Sequence, residues 1–372
     1  MTRRNSLFVV LCTVFIFMAP PACMARYAHL LTYETPRTQA MGGASVAVAD
    51  DQQSLYTNPA GLALIQDKGY AIANVLGEAN QDFRRVTNKI ESLSDKDTPT
   101  SRAGNNRLLA GVMGQHARIV LSNLAYYIGA AGFGVSFLYQ AVTEVSVNRP
   151  TNPRIHAKGD VDSVLTGSIA RPIHYARNVL RDQAFGYWGA TLKFLSRRSI
   201  DREFDARDFA ALSEDDLRDN QFKGSTADMD AGMLWKLNNN PWNPVLGMYI
   251  GNIFETEVDP TIGRLRRQFG VGASFRPLSG PDERNRKLLL AADYWDQTGD
   301  GAWMSNFRLG MEVKLRSWLK VQVGLRGGYM CTGFSADFGE GRIDFATYSE
   351  ERGSRPGDLE DRRYSLSLGF EF

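Results

Sequence analysis

Arg363-Tyr364-Ser365-Leu366-Ser367-Leu368-Gly369-Phe370-Glu371-Phe372 ends the chain and decides its fold. Successive side chains of a β-strand point to opposite faces. Tyr364, Leu366, Leu368, Phe370 and Phe372 therefore share one apolar face, and Arg363, Ser365, Ser367, Gly369 and Glu371 share the other. A strand that is wholly apolar on one side and small or charged on the other needs two different surroundings. The last residue, Phe372, places an aromatic ring at one margin of the apolar face. This is the pattern of a strand that closes a transmembrane barrel, with lipid outside and a polar lumen inside.

The same period of two recurs upstream. Phe307, Leu309, Met311, Val313 and Leu315 oppose Arg308, Gly310, Glu312, Lys314 and Arg316. Leu319, Val321, Val323 and Leu325 oppose Lys320, Gln322, Gly324 and Arg326, after a turn at Ser317. Met229, Ala231, Met233 and Trp235 oppose Asp228, Asp230, Gly232 and Lys236, and Phe133, Val135, Phe137 and Tyr139 alternate with Gly134, Ser136 and Gln140. A soluble sandwich also alternates, but soluble strands average about 5–6 residues and a membrane strand needs about 9–11. Fourteen strands are predicted, near 68–79, 117–127, 130–145, 159–172, 184–197, 225–237, 244–254, 265–277, 286–297, 304–316, 318–330, 331–338, 341–348 and 362–372. An even count puts both barrel ends on one side. The longer, more charged connections (80–116, 146–158, 198–224, 255–264, 297–303, 349–361) then all fall on the other side, with the short turns at 128–129, 317 and 339–340 opposite them. Leu108–Gln115 reads as a strand piece or a pairing element within the first long loop.

Composition fits this reading. The 372 residues are 43% hydrophobic and 23% charged, with 35 glycines. Mean hydropathy is −0.29, and past the N-terminus no apolar run reaches the ~18–20 residues of a membrane helix. Barrel strands average to neutral, so they escape that test. A formal charge of +2 gives no reason to invoke nucleic acid. Arg3 and Arg4, an apolar core from Leu7 to Ala19, Pro20-Pro21 and the small residues before Ala25 have the layout of a secretory signal peptide over 1–25. A membrane anchor is the bland alternative, and lipidation at Cys23 a minor one. Removal of that segment leaves Cys331 alone, so no internal disulfide is expected.

Residues 26–67 are not strand-like, and the barrel proper is assigned to 68–372. The segment is rich in small residues and carries an Asn58-Pro59 turn signal. It suits a compact plug inside a lumen, or else a periplasmic tail. Met41-Gly42-Gly43-Ala44-Ser45-Val46-Ala47-Val48-Ala49-Asp50-Asp51, followed by Tyr56-Thr57-Asn58-Pro59-Ala60-Gly61-Leu62, resembles the opening of the FadL superfamily of outer-membrane proteins. That group includes long-chain fatty-acid transporters, aromatic-hydrocarbon channels and PorV-like secretion proteins. Gly341–Ala346 and the closing strand look like the PorV-like branch, and the combination is similar to an uncharacterised FadL-related family of spirochaetes. The resemblance covers both ends well and the middle only by strand pattern.

It implies a fourteen-stranded outer-membrane barrel with an N-terminal hatch containing Asn58, Pro59 and Ala60. It also implies passive uptake of long-chain fatty acids or other hydrophobic molecules, which leave through the barrel wall. The alternative it carries is a PorV-like interaction or secretion-shuttle protein with a protein partner. Membrane lipid is a partner on either reading.

No enzyme constellation, cofactor motif or metal-ligand spacing stands out around His29, His116, His156 and His174. Asp228 and Asp230 share the inward face, as polar lining or a cation site; Asp293 and Asp296 are a further pair. Lys193, Lys236, Arg276, Arg308 and Arg326 are predicted to face the lumen, with Lys314, Arg316 and Lys320 beside them, because a charge on the lipid face costs about 2–4 kcal/mol at the midplane. One or two could receive a ligand carboxylate. The bland alternative is interior salt bridging to Glu312, Asp228 and Asp230.

Overall fold

A computed structural model describes residues 33–372 except 49, 66–68, 95, 97, 130–131, 149–152, 174–183, 212–220, 238–241, 278–286, 297–305 and 354–356. The expected signal segment lies outside these residues, as does His174.

Fourteen antiparallel strands close on themselves. In chain order they are β1 (Gly69–Asn80), β2 (His116–Gly129), β3 (Phe133–Asn148), β4 (Arg154–Ile173), β5 (Ala184–Phe204), β6 (Phe222–Leu237), β7 (Val245–Gly251), β10 (Gln268–Phe275), β11 (Leu288–Asp296), β12 (Phe307–Arg316), β13 (Leu319–Arg326), β14 (Tyr329–Phe338), β15 (Gly341–Glu351) and β16 (Glu360–Glu371). The two short strands β8 (Glu257–Asp259) and β9 (Gly263–Arg264) pair with each other in the loop between β7 and β10. Each barrel strand corresponds to one expected from the sequence.

Closure is made by the C-terminal strand. β16 pairs with β1 from Asn80 opposite Arg363 to Ala71 opposite Glu371. Tyr70 and Phe372 exchange both backbone hydrogen bonds at 2.9 Å, and their rings stack with centroids 5.4 Å apart. The outward positions are exposed and apolar around the circumference, among them Phe137, Leu165, Leu192, Met311, Leu325 and Leu368. So continuous an apolar belt is stable only against lipid. Among the described residues no helix is long and apolar enough to cross a membrane; the strands do the crossing.

β4 and β5 run 20 and 21 residues, roughly twice the ~9–11 that span a bilayer. Their extra length, at 154–163 and 196–204, leads into the long loops and mixes charged residues with apolar ones such as the buried Ile155. Two differences from the expected pattern have clear causes. The turn between β13 and β14 falls at Gly327-Gly328 rather than near 330, because both residues take positive φ (57° and 95°) and so form a two-residue hairpin turn. The first long loop carries two helices, α3 (Phe83–Glu91) and α4 (Pro99–Ala110), where a pairing element had been one expectation for 108–115. Thr98 caps α4, accepting from Ser101 N at 3.1 Å ahead of Pro99. Val86, Leu109 and Val112 then bury a small core against Ala117, Val147 and Ile155.

Candidate functional site

Residues 33–48 and 50–65 pack against the inward-facing side of the barrel strands. They fold as α1 (Pro36–Ala40), α2 (Ser54–Thr57) and a 3-10 turn (Pro59–Ala63). Thr35 caps α1 ahead of Pro36, and Asn58 caps the 3-10 turn by accepting from Ala60 N at 3.2 Å. So short a piece cannot hold its own helices; the barrel wall holds them.

Lumenal glycines make the seats. A methyl group at Gly310 would lie 2.7 Å from Met41 O, and one at Gly247 would lie 2.5 Å from Val46 O. At Gly324 it would strike the backbone of Met41 and Gly42, at Gly189 that of Pro59 and Ala60, and at Gly232 the Asn58 side chain. Gly42 itself needs φ +66° and abuts the carbonyls of Leu309 and Leu325.

Polar ties fix the segment in rotation. Asn58 Nδ2 donates to Val46 O (2.8 Å), Met233 O and Met248 O (both 3.3 Å), joining two parts of the segment to β6 and β7. Asp293 accepts from Ser45 N at 2.5 Å and Val46 N at 2.7 Å. Arg37 donates through Nε and Nη2 to Glu312 at 2.6 and 2.9 Å, and through Nη1 to Asp50 and Asp51 at 2.7 and 2.8 Å. Glu34 bridges Arg308 (3.2 Å) and Arg326 (2.5 Å). Burial pushes the Glu34 carboxyl up, but these two guanidiniums outweigh it and hold it below its ordinary value.

The predicted lumenal cations thus divide. Arg276, Arg308 and Arg326 all engage carboxylates of the N-terminal segment, Arg276 through Asp50 at 2.8 Å. Lys193 pairs with Asp230 at 2.7 Å and donates to Asn252 Oδ1 at 2.6 Å. Lys236, half-buried at the short-turn end of β6, stands apart from this group. Arg316 is exposed at the β12–β13 turn, where the pairing register shifts between Lys314 and Arg316. Asp228 anchors the β7–β10 loop by accepting from Phe254 N (3.1 Å), Thr256 N (3.1 Å) and Thr256 Oγ1 (3.0 Å). Among the described residues no group of three or more His, Cys, Asp or Glu side chains is placed to hold a metal ion.

The lumen is not uniformly polar, which corrects the expectation of a charged or small inner face. Leu124, Leu138, Val164 and Leu195 point inward from β2–β5 and are buried. They form one apolar cluster with Tyr33, Leu55 and Leu62 of the N-terminal segment and with Val258, Ile262 and Leu265 of the β8–β9 loop. That loop folds down over β6, where a methyl group at Gly224 would strike Val258. The cluster is an apolar column from the N-terminal segment to the β8–β9 loop, flanked on the same wall by the buried Asp162–Arg197 pair (2.6 Å) and the Ser136–Thr166 hydroxyl contact (2.6 Å). It is closed, leaving beside Lys193, Val164, Leu195 and Leu265 a cavity of only about 20 Å³, room for one water. The signal for it was in the sequence. Val120-Leu121, Phe137-Leu138 and Val164-Leu165 are apolar at both parities, so each of those strands sets an apolar side chain among the polar ones of its inner face.

No protein-family model matches the sequence, and no curated protein matches it. Solved structures do. The chain is similar to a TodX monoaromatic hydrocarbon channel deleted in S2 and S3, with a TM-score of 0.54 and 11% identity over 91% of this chain and 98% of that one. The toluene transporter TbuX of Ralstonia pickettii aligns at TM-score 0.32 and 10% identity over 90% and 97%. A FadL homologue of Pseudomonas aeruginosa aligns at 0.28 and 10% over 92% and 98%. The first of these establishes a shared fold.

Proposed function

From a transmembrane barrel with the fold of a FadL-type hydrocarbon channel, we propose an outer-membrane protein of the FadL superfamily that takes up hydrophobic molecules passively, long-chain fatty acids among them. The observation that carries this reading is the apolar column on the β2–β5 side of the lumen, stopped below by residues 33–65. A water-filled porin has no use for an apolar column. A hydrophobic cargo needs one, because each buried methylene is worth about 0.8 kcal/mol out of water. The hydrophobic cargo named for the TodX channel of the same fold supports the same class.

Residues 33–65, with Asn58, Pro59 and Ala60 at their centre, act as the hatch. The β8–β9 loop lies at the outer entrance, since the long loops face outward when the chain ends are periplasmic. A cargo carboxylate pairs with Lys193, the one of the five candidate cations that lines the cavity beside the apolar column. Arg276, Arg308 and Arg326 hold the hatch instead.

Equilibrium titration of a fluorescent long-chain fatty acid, with toluene as competitor, into refolded protein tests this. Saturable binding displaced by the neutral competitor is expected. Binding of neither, together with a large steady conductance in planar bilayers, would replace uptake by a general porin.

A further inference from the structure

A second cavity, of about 350 Å³, lies at the other end of the lumen, between residues 37–65 and the short-turn margin of the barrel. It is large enough for a small organic ligand, and its chemistry is opposite to that of the apolar column. Six basic side chains line it against four acidic ones. Arg37 and Arg276 are already tied to Asp50. Lys287 just before β11, Lys314 of β12 and Lys320 of β13 bring three ammonium groups to one wall, Lys320 also lying 3.5 Å from Asp337.

Two buried donors have no partner there. Arg342, 9% exposed, uses Nε on Asp344 at 3.0 Å and leaves Nη2 unbonded. Gln52, 3% exposed, leaves Nε2 unbonded. A buried donor left without an acceptor costs about 1–3 kcal/mol, and both residues line this cavity. The two idle N–H groups, with the lysine ammoniums beside them, ask for an oxygen anion on the side of the cavity away from the unbonded Glu371 Oε1.

We propose that this cavity is a binding site for a small organic or inorganic anion of phosphate or carboxylate chemistry. The anion is held by Lys287, Lys314 and Lys320 and receives hydrogen bonds from Arg342 and Gln52. Its oxygens stand where a planar guanidinium and an amide donate directionally and the lysines act as point charges. Glu371 and Asp51, also in the wall, limit it to compact ligands that keep to the lysine side. The site differs in chemistry from the apolar column, whose members Tyr126 and Ile128, with Ile65 packed on them, reach only its apolar wall, and it opens on the periplasmic side in the orientation proposed above.

The test is isothermal titration of the refolded full chain with inorganic phosphate and, separately, succinate, at constant ionic strength set by sodium chloride. Ionic strength must be held because exposed charge attraction is screened within about 10 Å at 0.1 M salt. Saturable binding of at least one anion is expected, weakened about tenfold or more in Lys314→Gln/Lys320→Gln. Saturation by phosphate alone or by succinate alone supports the site and names its chemistry. Lys287→Gln, at an exposed rim position, gives the same direction of change should the double variant not refold, with heat-dependent gel mobility as the folding control. No saturable heat from either anion, or variants that bind as the parent does, would overturn the proposal. Fatty-acid binding measured on the same sample keeps the two readings apart, since either can fail without the other.

Discussion

Arg37 of the lumenal segment grips Glu312 of β12 through two parallel N–H···O bonds, at 2.6 and 2.9 Å. The fork is buried, with side-chain exposures of 6% and 10%, and Asp50 and Asp51 complete the shell around the guanidinium. Removing one partner of a buried pair strands the other's charge and costs about 3–5 kcal/mol. Arg37→Met is therefore expected to release residues 33–51 while the barrel persists. Hydrogen exchange over that segment should accelerate and bilayer conductance should rise, with heat-dependent gel mobility unchanged. Glu312→Met added to Arg37→Met should restore part of the loss, because it removes the stranded carboxylate. Equal protection of the segment in Arg37→Met and the parent would show that Arg37 does not hold the hatch.

Asn58 carries a different kind of tie. Its Nδ2 faces three backbone carbonyls, and its 0% exposure excludes water as a substitute. Asn58→Asp keeps the shape and removes both N–H donors, setting a carboxylate against three carbonyl oxygens. A loss of several kcal/mol in hatch docking is expected, at the upper end of what a stranded buried polar group costs (about 1–3 kcal/mol, more if charged). Limited proteolysis of the refolded protein should then cut within 33–65. Resistance equal to the parent's would remove Asn58 from the hatch.

The barrel was legible from period-two patterning because lipid imposes one rule on every outward position. Phe133, Phe137, Leu309 and Leu366 could be assigned without knowing a neighbour. The lumen has no such rule. Its glycines read as generic small residues, yet Gly232, Gly247 and Gly324 each admit a specific backbone of the N-terminal segment, and that fit depends on how two distant stretches meet. Arg308 and Arg326 were placed on the correct face, but their partner, Glu34, lies roughly three hundred residues away. The apolar column is hidden for another reason: Leu124, Leu138 and Leu195 are single breaks in otherwise polar inner faces, and their partners Tyr33, Leu55 and Leu265 come from distant stretches.

On the proposed hatch reading, Glu34 is expected to make the lumenal segment sensitive to acid. Its carboxyl is buried, which alone would raise its pKa, but Arg326 and Arg308 together hold it below the ordinary value of 4.5. Asp50, which faces the short-turn cavity, is lowered in the same sense: burial opposes, and Arg37 and Arg276 prevail. A depressed carboxylate contributes stability that is fully present above its unfolded value and is lost as pH falls through its folded value. The hatch is thus expected to stay docked at neutral pH and to loosen only below about pH 4, seen as rising bilayer conductance. Glu34→Gln should show raised conductance already at neutral pH and a flatter acid response. A parent protein whose conductance is constant down to about pH 2 would remove these carboxylates from the latch.

Lys193 separates a fatty-acid channel from a channel for neutral hydrocarbons. It sits against Val164, Leu195 and Leu265 with its ammonium on Asp230 at 2.7 Å. A cargo carboxylate has to compete with Asp230 for that charge, while a neutral ring such as toluene does not. Lys193→Met keeps the stem's apolar contact and removes the charge. It should weaken binding of a long-chain fatty acid by about tenfold or more, since charge-assisted hydrogen bonds are worth about 1.5–3 kcal/mol. Toluene binding should stay within about twofold, because the apolar column is untouched. The variant also strands Asp230, which retains the Asn252 N–H at 2.8 Å, so Lys193→Met/Asp230→Asn is the control that removes this burden. Equal losses for both ligands would mean that Lys193 supports the wall and does not meet a headgroup. Unchanged binding of both would move the headgroup site elsewhere in the lumen.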